Sequence, residues 1–466
     1  MRGKNKFKKI KVFFPILLSF TLILGCLPTV GQARTMSELE PLDNLNEYLN
    51  KIDSKVKKQL ENDDDLVEVL IYLKDRVSIN EIEEISKSQG DYNTSYENEV
   101  SKRKTVINTL KEKAETSQNS VVSYLSSEKL SGKVEKIQSF YIANIVYVKA
   151  NKEVIEEIAK RDDVEKIYFN DIIELEEPIK GVDLDTVTNM AEDEIEWNIK
   201  KVEAPKVWEN FKIDGTGVVV GILDSGVDWT NPALKDKWRG YDKETETVVN
   251  PKESWYDPMT NSELPWDNLG VPHGSHCTGT ILGQESNGDN TIGVAPGAKW
   301  IAAKAFTDKG GQQVHLLAGA QWFLAPGGKA EKAPNIINNS WGGSAGVDPW
   351  FKDVVAAWRS AGILPVFAAG NQKSGEPKPW PGSIQNPSNL PGSFAVAAVD
   401  INNKRGDFSK LGPSPWDPKM IKPEISAPGV NIRSSVVGGY EGGWNGTSMA
   451  APRSEERRVG KECSQG

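Results

Sequence analysis

Three short stretches carry side chains able to act together: ILDSGVD around Asp224, HGSHCTG around His273 and NGTSMAAP around Ser448. They supply an acid, an imidazole and a hydroxyl, each close to a glycine. A serine hydroxyl is a poor nucleophile until a base takes its proton as it attacks. His273 is suited to be that base. Asp224, buried beside it, would fix the imidazole tautomer and stabilise the imidazolium that forms. The tetrahedral intermediate then needs a hydrogen-bond donor for its oxyanion. Asn371, in Ala369-Gly370-Asn371 just after an apolar run, can point its amide there. Ser448 is expected to open a helix, whose N-terminal amides favour developing negative charge. Gly274 and Gly446 leave room for close backbone approach.

Each assignment has a plainer rival. The chain has three histidines, His273, His276 and His315. His276, three residues along the same motif, reads as a packed helix residue, and His315 as a surface or lining residue. Cys277 reads as a buried structural thiol, because a reactive one requires an electropositive, accessible site. Asn371 taken alone is equally a turn residue. The many tryptophans read as core and lining.

Apolar strands must position these groups. Val218–Leu223 is a buried strand ending at Asp224, with further strands expected over Trp300–Phe306, Ile336–Asn339 and Leu364–Ala369. Phe351, Val354, Val355 and Trp358 form a helical pattern before the last of these. Continuous apolar strands alternating with helices predict an α/β fold, a mostly parallel sheet with helices on both faces. In such sheets function gathers outside the carboxyl ends of the strands, where Asp224 and Asn371 fall. The region from Glu38 to Asp171 reads instead as a small α+β unit. Its strands are expected over Val67–Leu73, Ile142–Val148 and Val164–Phe169, with helices around Val106–Ala114 and Val154–Ile158. Between the two regions, 172–196 forms an acidic linker, exposed and open to proteolysis.

With 466 residues the chain is long enough for two or three domains, and a net charge of −9 argues against a nucleic-acid partner. Lys4, Lys6, Lys8, Lys9 and Lys11 precede an apolar run from Val12 to Leu27 and a small-residue exit at Gly31-Gln32-Ala33. Together they read as a secretory signal over 1–33, too short in its apolar part to span a bilayer. Ile23-Leu24-Gly25-Cys26 also resembles a lipobox, which keeps a lipidated, cell-surface form open. The cysteines Cys26, Cys277 and Cys463 make no disulfide framework.

ILDSGVD, HGSHCTG, NNSWGG, AAGN and NGTSMAAP resemble the defining motifs of subtilisin-like serine peptidases, and the runs VDWTNPAL, IGVAPGAKWIAAKAF, FSKLGPSP and KPEISAPGVNIRSS are similar to its bacillopeptidase F-type members. The resemblance covers about 197–452. It implies a secreted serine endopeptidase with Asp224 orienting, His273 as general base, Ser448 as nucleophile and Asn371 as oxyanion donor. It implies that Ser340, Trp341, Gly342 and Gly343, with Ala369 and Gly370, meet the backbone of a protein or peptide substrate. The same likeness makes 38–171 a ferredoxin-like, inhibitor-type propeptide that assists folding, blocks the site and is cut off by the enzyme between Glu177 and Trp197. Catalysis of this kind needs no cofactor. A structural calcium ion fits the family, with ligands that carboxylates alone do not assign.

After Pro452 the family pattern continues with a histidine and a long apolar helix. Here Arg453-Ser454-Glu455-Glu456-Arg457-Arg458-Val459-Gly460 follows, a string that resembles a translated sequencing adapter, so 453–466 is expected to be non-native. Such a tail would strip the nucleophile helix of its apolar face and leave the chain unstable or inactive. Two other readings stay open: a catalytically inactive homologue acting as a binding module, and a 38–171 region that inhibits peptidases by itself.

Overall fold

Val67–Leu73 (β1) is buried along most of its length because it lies inside a four-stranded sheet. Val134–Phe140 (β2), Ile145–Ala150 (β3) and Val164–Phe169 (β4) complete that sheet in the order β2-β3-β1-β4. The pairings β1–β3, β1–β4 and β2–β3 are all antiparallel. Helices α1 (Tyr96–Leu130) and α2 (Lys152–Lys160) are its crossovers, giving the ferredoxin-like β-α-β-β-α-β arrangement. In α2, Asn151 caps the first turn by accepting from the Val154 amide at 3.2 Å. Val154, Ile155, Ile158 and Ala159 then bury one face, as the spacing predicts. The computed structural model describes residues 48–61, 66–88, 96–175, 178–180, 195–285 and 290–455. The expected signal segment, most of the linker and the tail beyond Glu455 lie outside them.

The strand expected over 142–148 begins instead at Ile145. Asn144 adopts a left-handed φ of 50°, and its amide donates to the Asp75 carbonyl and Ser117 Oγ, both at 2.7 Å. This turn joins β2 to β3, with Phe140 opposite Ile145. β2 itself escapes sequence reading because its few apolar residues are interleaved with Glu135, Lys136, Gln138 and Ser139.

A joining segment contributes two short strands, β5 (Ile172–Ile173) and β6 (Ile179–Lys180). The second domain is built on β7 (Val219–Asp224), β8 (Trp255–Tyr256), β9 (Lys299–Lys304), β11 (Ile336–Asn339), β12 (Leu364–Ala368), β13 (Phe394–Val399) and β14 (Ile425–Pro428). They form one sheet in the order β8-β9-β7-β11-β12-β13-β14, every pair parallel. A short strand β10 (Gly311–Gln312) and a hairpin of β15 (Ile432–Val436) and β16 (Gly439–Asn445) stand outside it. This is the α/β sheet that the apolar runs predict.

Alternate residues of β7 face opposite layers. Leu223 packs with α4 (Gln313–Leu324) and α5 (Lys352–Ser360), whereas Val220 and Ile222 pack with Ile281 and Leu282 of α3 (His273–Leu282). A short helix α6 (Thr447–Ala450) covers Val366, Ala368, Val396 and Ala398 of β12 and β13. Both sheet faces are therefore sealed, which satisfies a parallel sheet.

The N-terminal domain keeps its own core between the sheet and its helices, but its opposite layer joins the α4–α5 cluster. Leu70, Val106, Leu110 and Phe140 belong to that shared cluster. The buried Arg103 donates to the carbonyls of Ala361 and Ala330, each at 3.0 Å, and Ala361 is the C-cap of α5. A cation there meets the negative end of the helix dipole.

Candidate active site

β7 delivers Asp224 to the carboxyl edge of the sheet, and α3 starts at His273. Asp224 Oδ1 lies 2.8 Å from His273 Nδ1, with both side chains fully buried. The same oxygen accepts from the Ser225 amide at 2.7 Å. An ionised carboxylate only accepts, so Nδ1 carries a proton, and in the neutral imidazole the lone pair is left on Nε2. Burial disfavours the imidazolium, but the Asp224 charge, with Cys277 adding to it, outweighs that and holds the imidazole well above its ordinary pKa. Gly274 is needed for this approach. A Cβ there would sit 2.0 Å from the Gly226 carbonyl oxygen and 3.2 Å from Asp224 Cβ.

Ser448 stands in the first turn of α6, just after Gly446, its N-cap. Its Oγ donates to the Ser340 carbonyl at 3.2 Å, and its own carbonyl accepts from Ser340 Oγ at 3.1 Å. Cys277 Sγ donates to that carbonyl at 3.5 Å and lies 3.8 and 4.0 Å from His273 Nδ1 and Nε2. One buried thiol therefore touches both the imidazole and the Ser448 backbone. Burial pushes that thiol's pKa up, partly offset by His273, which favours the inert form.

Asn371 follows β12 and faces the start of α6. Its Oδ1 accepts from the Thr447 amide and from Thr447 Oγ1, both at 2.9 Å. Thr447 Oγ1 in turn accepts from the Gly370 amide at 3.1 Å. Two donors on Oδ1 turn Nδ2 toward Gly446, where an added Cβ would meet it at 3.3 Å. Gly370 has φ +105°, and a Cβ on it would strike Gln385 at 2.4 Å. The amide direction is thus set by the loop on one side and by α6 on the other.

The joining segment runs through this edge. β5 pairs antiparallel with β10, Ile173 opposite Gly311 and Ile172 opposite Gln312. Leu175 forms an antiparallel bridge with Trp341. Beyond, β6 pairs antiparallel with β16, Ile179 opposite Asn445 and Lys180 opposite Trp444. Asn445 Nδ2 also donates to the Ile179 carbonyl at 2.7 Å. Leu175 and Pro178 border a cleft of about 390 Å³, together with Glu174, Ile179, Asn371 and Lys373. The Lys373 ammonium pairs with the Glu174 carboxylate.

The sequence pattern of the subtilase family matches residues 215–453, about half of the chain. The chain belongs to the subtilase family. It is 42% identical over 463 residues to Bacillopeptidase F of Bacillus subtilis (strain 168), an alignment covering 97% of this chain and 32% of that protein. It is 31% identical over 259 residues to a subtilisin of Bacillus pumilus, covering 55% of this chain and 81% of that protein. To the M-protease of Shouchella clausii (strain KSM-K16) it is 28% identical over 359 residues, 71% and 83% of the two chains. The chain therefore spans about a third of the length of Bacillopeptidase F.

Within this subtilase chain the other expected groups fall as follows. Ser340 and Ala369 are buried, and Trp341 turns its ring into the core against Phe351 and Phe367 at centroid distances of 5.3 and 5.7 Å. The Trp341 backbone bridges to Leu175 of the joining segment. Gly343 instead donates its amide to the Asn386 carbonyl at 2.7 Å. His276 is buried and stacked on Trp444 at 4.1 Å, which suits a packed residue. His315 is half-buried on α4. Among the described residues, the three metal-ligand side chains that converge are Asp224, His273 and Cys277. That donor set differs from the all-oxygen shell of calcium. Arg453, where the tail was expected to begin, is buried and donates to the Pro428 carbonyl at 2.9 Å.

Sequence reading missed two features of the site. The placement of 172–175 and 178–180 beside Asn371 and Trp341 leaves no periodic trace, because each strand there is two residues long. A buried carboxylate, Asp267, stands behind Asp224 and His273. Its signal was the rarity of a fully buried acid, which only the fold reveals.

Proposed function

We propose that the chain is the precursor of an exported serine endopeptidase whose first substrate is its own joining segment. The observation that carries this reading is that 172–175 and 178–180 pair antiparallel with Gly311–Gln312, Trp341 and Trp444–Asn445 and border one cleft together with Asn371. Main-chain pairing of this kind holds an extended peptide whatever its side chains, which suits broad specificity.

In this reading His273 Nε2 takes the Ser448 proton as Oγ attacks the scissile carbonyl. The Ser448 hydroxyl must first leave the Ser340 carbonyl, a rotation about one side-chain bond. Asp224 stabilises the imidazolium across the 2.8 Å contact. The oxyanion forms where Asn371 Nδ2 and the first amides of α6 converge. His273 then returns the proton to the leaving amine, and water cleaves the acyl-enzyme by the same route.

The N-terminal domain is the propeptide, docked through Arg103 and the shared apolar cluster. The sequence-based expectation is a cut between Glu177 and Trp197; the pairing of 172–173 and 179–180 moves the proposed cut to the bonds between Leu175 and Pro178, at the N-terminal edge of the acidic linker. N-terminal sequencing of the product tests this, against a Ser448→Ala chain that should remain uncut.

A further inference from the structure

Asp267 precedes α3 by six positions and is fully enclosed, yet it contacts neither the imidazole nor the nucleophile. Its two oxygens accept four hydrogen bonds. Oδ1 receives Ser225 Oγ at 2.7 Å and the Asn268 amide at 2.8 Å. Oδ2 receives Ser275 Oγ at 2.7 Å and the Ser275 amide at 2.8 Å. A carboxylate has about four acceptor sites, so this one is saturated.

The two serine hydroxyls pass the connection on in opposite directions. Ser225, next to Asp224, accepts from the Gly274 amide at 2.9 Å, next to His273. Ser275, on the His273 helix, accepts from the Asp228 amide at 2.8 Å, in the loop that follows Asp224. One carboxylate thereby laces the Asp224 loop and the first turn of α3 to each other twice. Lys304 closes the arrangement from the neighbouring strand. It is paired in register with Asp224, its ammonium donates to the Ser225 carbonyl and to Asn268 Oδ1 (2.6 Å), and it lies 3.9 Å from the Trp266 ring.

We propose that Asp267 is a positioning residue of the peptidase reaction, which sets the Asp224–His273 geometry through Ser225 and Ser275. The inference rests on the serine peptidase reading for its kinetic consequence, but its structural claim stands on the lacing itself. An asparagine has the same shape but one oxygen fewer. Its amide nitrogen would face either the Asn268 amide or the Ser275 amide, both fixed donors. Whichever amide it faces loses its acceptor, and the serine hydroxyl beside it must reverse to accept from the new amide. Burial pushes the Asp267 carboxyl up to about 6, against the pull of Ser275, Ser225 and Lys304, so the charge is held at some cost. A loss of alignment on the order of 1 Å costs up to about 100-fold in rate.

Two readouts separate this proposal from the reading beneath it. The first is the low-field proton resonance of the Nδ1–H···Asp224 hydrogen bond, followed by NMR in the uncut Ser448→Ala chain. Asp267→Asn should shift it upfield and broaden it. An unchanged resonance overturns the proposal, whether or not the chain is a peptidase. The second is hydrolysis of a chromogenic peptide, with active sites counted by a fluorophosphonate probe. Asp267→Asn should lower kcat per counted site by roughly 10–100-fold, with KM within about twofold. A lower melting temperature with kcat per site unchanged overturns it. If Asp267→Asn does not fold, Ser225→Ala removes a single lace. It should move the resonance the same way and lower kcat by roughly 5–30-fold, as loss of the two hydrogen bonds of Ser225 Oγ implies. No change in either contradicts the proposal. A wild-type chain with neither hydrolysis nor labelling would sink the peptidase reading alone, leaving the resonance to decide the role of Asp267.

Discussion

The two halves of the site are held by different means. On the His273 side, buried charges and hydrogen bonds do the holding: Asp224 on Nδ1, with the Ser225 and Gly274 contacts behind it. On the Ser448 side the support is backbone and shape. A four-residue helix, the Thr447–Asn371 pair and the Ser340 carbonyl fix Ser448. The difference follows from the chemistry. In the proposed reaction the imidazole gains charge in a buried place, which a low-dielectric surrounding penalises unless a fixed anion is ready. On the Ser448 side the proposed reaction develops only the oxyanion of the substrate carbonyl, for which oriented amides suffice.

Substitutions on the two sides should therefore fail differently. The largest effect is expected for Asp224→Asn, which places an amide against Nδ1 and forces the proton to Nε2. Loss of kcat should be roughly 10⁴-fold, as for this change in other triads. Without the Asp224 charge, burial lowers the imidazole pKa. The base form is the active one, and activity is lost as pH falls through that pKa. The acid limb of the residual activity should accordingly move to lower pH, as a pH–rate profile would show.

Asn371→Ala comes next. It removes one preorganised donor from the Ser448 side while leaving the imidazole alone. The loss expected is about 10²–10³-fold in kcat, with no movement of the acid limb and little change in KM. A shifted acid limb would mean that the halves are not separable as described.

Cys277→Ala should have the smallest effect. The thiol touches both halves, but its pKa is raised and its hydrogen bond to Ser448 is long. A fall in stability of about 1 kcal/mol is expected from the small cavity, with activity within tenfold. Thermal unfolding in the Ser448→Ala background, free of self-digestion, measures the first and a peptide assay the second.

What could be read from the chain alone follows the same division. Asp224, His273, Ser448 and Asn371 stand out in the chain because each sits in a glycine-bearing motif and two of them follow apolar runs, and the fold brings Asp224 to His273 and Asn371 to the turn before Ser448. The sheet was legible because parallel strands buried on both faces are continuous apolar runs. The short strands at 172–180 were not, because pairing partners such as Gln312 and Trp444 lie far along the chain and non-local pairing leaves no local pattern. Asp267 was illegible for a related reason. Its partners Ser225 and Ser275 are ordinary serines until the fold brings them to one carboxylate. Asn144 shows the reverse, a single polar residue whose left-handed turn interrupts an apolar run that otherwise looks like strand.

The central claim is that Asp224, His273 and Ser448 act first on the joining segment of their own chain. Incubation of the full chain followed by N-terminal sequencing tests this most directly. A new N-terminus between Leu175 and Pro178, absent from the Ser448→Ala chain, is the predicted result. An uncut wild-type chain, a cut that persists in Ser448→Ala, or a first cleavage outside that interval would contradict it.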